Sequence, residues 1–407
     1  MAVGTRVKML EKIRVLDLSR VMSGPFCSRM LSDLGAEVIK LESTHGDPMR
    51  YQPPLIGGFG SYFTQFNVGK KSLAMNLRHP DGVKLIKRLV PLCDVIIENF
   101  RPGTLNEMGL AYSVLKESNP KIILCSISGF GQDGPEAKRL AYTDIVQAYC
   151  GMDYMAGRML GPDADPPGMP YSFGDSYAAL NAAVAILAAL FHRESTGEGQ
   201  AIDISMLDCL LAANDSALQK FIFSEGQMDT PGASFRPPIR FRDGFMAVSL
   251  NLQFDRMCQA IGHPELPKDP RYKVLEERYK PENFSAYLAT IKEWSRGKTV
   301  KEASEIFETY DIPFSKVNSL NEVVNSPVVS YRNMIVDVEL PDFGPILVVN
   351  TPFKFSETST RPQGPPPWLG EHNKELLSRL LKMTDEEIEA LNRQGILVEQ
   401  KEPPTTA

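Results

Sequence analysis

The chain has 407 residues, 43% of them hydrophobic and 23% charged, and a formal net charge of -6. These proportions belong to a soluble globular protein and exclude a disordered or collagen-like chain, while the negative balance leaves no basic footprint for a nucleic acid. At roughly 150 residues per domain the length predicts two or three folding units.

The first 130 residues alternate short β-branched runs with amphipathic stretches, the pattern of parallel strands joined by crossover helices. Strands are expected at IRVLDL (13–18), AEVIKLE (36–42), DVIIEN (94–99) and KIILCSI (121–127), with helices near 24–34 and 82–90. From Gly129 to Pro170 the density of Gly, Pro and Asp predicts long loops, which in α/β proteins carry function. GDSYAALNAAVAILAALFHRE then predicts one helix with Asp175 or Ser176 at its N-terminus and His192 and Arg193 near its end. Being apolar nearly all round, that helix is expected to be buried. Its apolar run, Tyr177 to Phe191, is broken by Asn181 and shorter than the ~20 residues that span a bilayer, so no membrane segment is expected.

TGEGQAIDISMLDCLLAAND predicts a Gly-rich turn, a short strand and a further helix. FRPPIRFRDGFMAVSL opens a new unit with a hairpin, and charged helical stretches follow to about Leu320. A second hairpin is expected from Val336, turning through Pro341 to Gly344, then a Pro-rich passage, a helix over 371–382, a short terminal helix and a frayed tail.

The chain lacks GxGxxG, the P-loop pattern, GxSxG and HExxH, which removes the main support for dinucleotide, phosphate-loop, serine hydrolase and metalloprotease readings. Six scattered cysteines read as buried, reduced thiols, and five histidines fall at no ligand spacing, so no metal is assigned. The first twenty residues lack the apolar core and cleavage site of a secretory signal, and a cytoplasmic location is expected. Asp175 is the focal carboxylate. After Gly174 and before Ser176 it reads first as a helix N-cap. The same position beside helix amides would keep a nucleophilic carboxylate ionised, so the two roles are compatible.

RVLDLSRVMSGPFCSRMLSDLGAEVIKLE resembles the opening of the class III CoA-transferases, the family of formyl-CoA transferase, carnitine CoA-transferase and the methylacyl-CoA racemases. The likeness runs on through YFTQFNVGKKSLAMNLRHPDG, DVIIENFRPGTLNEMGL, ISGFGQDGP, Gly174-Asp175-Ser176 and GEGQAIDISMLD, and resumes in PPWLGEHNKELL. The resemblance implies a doubly wound, Rossmann-like large α/β domain from residues 1–224 with 331–407, a smaller α+β domain from 225–330, and an interlocked dimer. The partner is implied to be a second copy or a paralogous subunit.

It further implies that Asp175 is the nucleophile and that coenzyme A is substrate and product. Val21, Met22 and Ser23 are then expected at the thioester end, Met75 and Arg78 beside the nucleotide, and Asn99, Phe100, Thr104 and Met108 on the adjoining wall, with Met206 also touching the cofactor. Glu107 and Leu140 stand where formyl-CoA transferase presents basic residues; Arg101 and Arg139 are the expected substitutes. Tyr62 and Tyr142 fall near the acyl pocket with Thr143, which stands where the racemase branch carries a histidine. Threonine cannot serve as the base a racemase needs, which favours transfer. The expected reaction moves CoA from an acyl-CoA donor, succinyl-CoA being one candidate, to a carboxylic acid, with Arg236, Arg240 and Arg242 available for a second carboxylate. An acyl-CoA racemase and a non-catalytic subunit of a hetero-oligomer are the alternatives.

Overall fold

A computed structural model of the chain describes residues 8–161, 163–214, 217–227, 237–250 and 253–400. It divides into two compact units: Met1–Asp153 with Gly168–Asn214 and Val328–Ala407, and Tyr154–Pro167 with Asp215–Pro327.

The first unit is built on six parallel strands, β1 (Arg14–Asp17), β2 (Glu37–Glu42), β3 (Lys71–Ala74), β4 (Val95–Glu98), β5 (Ile123–Ser128) and β6 (Ala201–Ser205). Their order is β3-β2-β1-β4-β5-β6, every neighbouring pair parallel. This is the doubly wound order in which the chain starts at the centre of the sheet and builds outward both ways. The central strands are apolar on both faces because helices cover both. Val15, Val95, Ile97, Ile123 and Cys125 point into one core and Leu16, Ile39, Ile96 and Leu124 into the other. Five helices matter for the site: α1 (Ser23–Asp33), α2 (Pro80–Leu89), α3 (Thr143–Tyr149), α4 (Phe173–Thr196) and α5 (Met206–Ala212).

The strands expected near 13–18, 36–42, 94–99 and 121–127 all form, and so does the hairpin Ile335–Leu340 with Gly344–Val349. Strand β3 and the helix Ser61–Asn67 carry no expectation from the sequence; KSLA has a single large apolar residue and no β-branched one to mark a strand. Helix α4 departs from its expected burial. Its Ala178, Ala179, Ala182, Ile186 and Ala189 face is buried, whereas Leu180, Val184, Leu187 and Phe191 lie open at 42, 67, 36 and 82% exposure. By length and composition alone α4 could cross a membrane, but its small-residue face is packed on α1 and the sheet as a core helix.

The second unit has its own core around Phe241, Met246, Phe254, Tyr287, Ile291 and Phe307. Its three-stranded antiparallel sheet pairs Phe245–Val248 with Ile239–Arg240 and with Phe314–Lys316. All six cysteines are unbridged, five of them buried.

Candidate active site

The carboxyl ends of β1 and β4 lie side by side where the strand order reverses, and in an open α/β sheet that crevice is where ligands bind. One side chain fastens the loops that leave the two strands. Asn99 Oδ1 accepts the Arg20 N–H at 2.9 Å, and its Nδ2 donates to the Arg20 carbonyl at 2.8 Å and to Ser23 Oγ at 3.2 Å. On its other side the β1 loop is held by Asp47, whose Oδ2 accepts the Val21 N–H at 3.1 Å. Val21 sits at φ 67°, a left-handed conformation that β-branched residues avoid. Gly24 completes the turn into α1, where any Cβ would collide with the Ser19 side chain.

Beneath this loop lies a floor of buried ion pairs. Lys40 Nζ is 3.0 Å from Asp47 Oδ2 and donates to the Ser19 carbonyl at 3.0 Å, and Lys70 Nζ is 2.9 Å from Asp17 Oδ2. Burial pushes Asp17 up, but Lys70, Lys40 and the Ser19 and Ser28 hydroxyls outweigh it and bring the carboxyl down to about 2. Burial likewise pushes Lys40 down, yet Asp47, Asp17 and Glu42 hold it above its ordinary value. Both groups stay charged at neutral pH, whereas burial brings Lys70 down to about 8.

Helix α4 brings its first turn to the same crevice. The helix begins at Phe173, with Ser172 in the cap position making no side-chain cap bond, so Asp175 is its third residue and not its cap. Side chains of α3 meet the open amides instead. Gln147 Oε1 accepts the Phe173 and Gly174 N–H groups at 2.8 and 3.4 Å, and Thr143 Oγ1 accepts that of Asp175 at 3.3 Å. Gly174 makes room for this, since a Cβ there would stand 2.7 Å from Thr143 Oγ1.

Relieved of capping, the Asp175 carboxyl shares a cavity wall with Ser23, whose hydroxyl and backbone N–H act on its ionisation. Burial raises it to about 6, Ser23 offsets part of the rise, and Asp144 adds to it. At about 6 the carboxyl is still mostly ionised at neutral pH, so burial weakens the charge expected beside the helix end without removing it. A macrodipole supplies ~1 kcal/mol, whereas a rise of about two pH units corresponds to roughly 3 kcal/mol, so burial prevails.

A cavity of about 230 Å³ opens over Asp175. Val21, Ser23, Asn99, Phe100 and Arg101 line it, together with Arg139, Tyr142 and Met206. A groove of about 1160 Å³ shares Arg20, Phe100 and Arg101 with that cavity and adds Arg78, Thr104 and Met108. Four expected residues line neither. Met75 is fully buried in the core beside Leu73 and Leu16, so it has no surface to offer a nucleotide. Met22 is buried and receives the Tyr62 hydroxyl on its Sδ at 2.9 Å, while the Tyr62 ring packs edge-on to Phe66. Thr143 stands behind Asp175 as a cap.

Residues the sequence did not single out complete the groove: Arg20, His45, Lys84 and Lys87. Lys84 and Lys87, one turn apart on amphipathic α2, were legible as an outward basic pair. Glu107 lines the groove near them, and Leu140 lines the cavity beside Arg139, whose guanidinium stacks over Tyr149 at 5.4 Å. Arg236 lies outside the described residues; Arg240 and Arg242 belong to the second unit, around a separate cavity with Lys292 and Arg296. Among the described residues no group of three or more His, Cys, Asp or Glu side chains is placed to hold a metal.

The profile of CoA-transferase family III matches residues 10–373. The chain is 32% identical over 400 residues to succinyl-CoA:glutarate CoA-transferase of Homo sapiens, covering 96% of this chain and 90% of the relative. It is 33% identical over 399 residues to succinyl-CoA–D-citramalate CoA-transferase of Chloroflexus aurantiacus, covering 95% and 98%. The crystal structure of a CAIB/BAIF family protein from Brucella suis matches with a TM-score of 0.78 at 30% identity, covering 90% of this chain and 98% of that one.

Proposed function

Because this chain belongs to CoA-transferase family III, we propose that it passes coenzyme A between two carboxylic acids through a thioester on Asp175. One observation carries this reading. A single carboxyl, raised to about 6 and set beside Ser23, faces a small cavity that runs into a cation-lined groove. Arg78, Lys84, Lys87 and Arg101 supply charge for the CoA phosphates, Phe100 and Arg101 flank the pantetheine arm, and the thioester lies beside Val21, Ser23 and Asn99.

Ionised Asp175 attacks the donor thioester carbonyl; the C–S bond breaks to give an acyl-aspartyl anhydride and CoA thiolate. The thiolate attacks the aspartyl carbonyl, releases the donor acid as its carboxylate and leaves the Asp175–CoA thioester. The acceptor carboxylate attacks that carbonyl and expels the thiolate, which then takes the acceptor's acyl carbon and restores the Asp175 carboxylate. No net proton is consumed. The Ser23 N–H and hydroxyl take up the charge that develops on the aspartyl oxygen.

The donor we propose is succinyl-CoA and the acceptor a dicarboxylic acid of glutarate size, on the strength of two relatives that match nearly the full chain. Arg139 lines the Asp175 cavity and not the groove, so its guanidinium suits the distal carboxylate better than a CoA phosphate. Thr143 is committed to the Asp175 amide and has no base to offer, which favours transfer over racemisation. The open stripe on α4 suits coverage by a second subunit.

The test is to incubate the protein with succinyl-CoA, digest it, and search by mass spectrometry for CoA on the peptide that carries Asp175. The adduct is expected in the wild type and absent in Asp175→Ala; an Asp175→Ala variant with full transferase activity overturns the reading.

A further inference from the structure

We propose that Asp47 is a positioning residue for the transfer: by clamping Val21 in its left-handed conformation it fixes Ser23 against the Asp175 carboxyl. The inference rests on Asp175 being the loaded group. Asp47 is almost fully buried and lies on the segment after β2, away from both loops that form the crevice. Its carboxylate lies 3.1 and 3.4 Å from the Val21 nitrogen and also accepts the Met49 N–H at 3.0 Å. The clamp is itself anchored. The Asp47 N–H donates to Glu42 Oε1 at 2.9 Å, and Lys40, paired with Asp47, reaches back to the Ser19 carbonyl. Asp47 and Lys40 thus grip the β1 loop at two points, Ser19 and Val21, while Asn99 grips Arg20 between them.

A valine at φ 67° returns to extended backbone unless something holds it. Two residues further on, Ser23 lines the same cavity as Asp175, and its hydroxyl and N–H draw that carboxyl down. Rotation at Val21 therefore swings the Ser23 N–H and hydroxyl, and displacement by about 1 Å near a reacting group costs on the order of 100-fold in rate. The CoA groove, built largely from other elements, stays in place.

The measurement is the rate of Asp175–CoA adduct formation from succinyl-CoA, with kcat and KM, in wild type, Asp47→Asn, Val21→Gly and the double variant. Asp47→Asn is expected to slow loading by about 10- to 100-fold with KM changed less than about threefold, since binding is spared. Glycine adopts φ 67° without help, so Asp47→Asn is expected to cost at least about tenfold less in the Val21→Gly background. Asp47→Glu keeps the charge facing Lys40 but carries it a methylene too far to receive the Val21 N–H, and it gives the same readout where Asp47→Asn does not fold. Loading at the wild-type rate, a loss confined to KM, or a loss equal in both backgrounds overturns the proposal. A wild-type protein without any adduct at Asp175 overturns the nucleophile assignment instead.

Discussion

At Asp175 the burial that raises the carboxyl to about 6 acts oppositely on stability and on reactivity. The folded state binds this proton more tightly than the unfolded chain, whose carboxyl titrates near 3.8. Its ionisation therefore costs stability above pH 6, and the cost disappears as pH falls from about 6 to about 4. Asp175→Asn is expected to melt at higher temperature than wild type at pH 8, by up to roughly 3 kcal/mol of stability, and to lose that advantage near pH 4 in thermal melts. Loading needs the charged form, so its single-turnover rate is expected to climb with pH through about 6 and level off above 7. The local sequence around Asp175 spoke only of a cap, because Gly-Asp before an apolar helix has that meaning everywhere. The nucleophile reading came from the ordered series of motifs along the chain. Asp47 left no trace, since its importance lies in a contact with Val21, across a helix and a strand.

Two helices carry predictions at the scale of elements. Helix α2 exposes Lys84 and Lys87 on the groove side while Leu85, Ile86 and Leu89 are buried. Reversing both charges (Lys84→Glu with Lys87→Glu) is expected to raise KM for acyl-CoA by about tenfold or more with kcat little changed, and wild-type KM is expected to rise with salt; steady-state kinetics at two ionic strengths checks both. Helix α4 was legible in extent but not in burial. Its sequence is apolar on every side, and composition does not reveal whether a face is covered by the same chain or by another. Phe191→Asp, at the most exposed position of the open face, is expected to lower the molar mass of the particle in light scattering after size exclusion, leaving the monomer folded.

For the molecule as a whole, strand positions were written in the sequence but strand order was not. Val, Ile and Leu runs announce β1, β2, β4 and β5 because both faces of a parallel sheet are covered. That β1 sits between β2 and β4 is a matter of long-range pairing, which no local run encodes. Yet this order alone brings Asn99 to Arg20 and makes a crevice from segments some eighty residues apart.

The same crevice leaves the cavity over Asp175 and the larger groove with a common border at Arg20, Phe100 and Arg101. In the mechanism we propose, with the nucleotide lodged in that groove, a cleaved thiol stays tethered within a few bonds' swing of the carbonyl that it must attack. Its return is an intramolecular reaction at high effective molarity, and the leash hands the same CoA molecule from donor to acceptor without release to solvent.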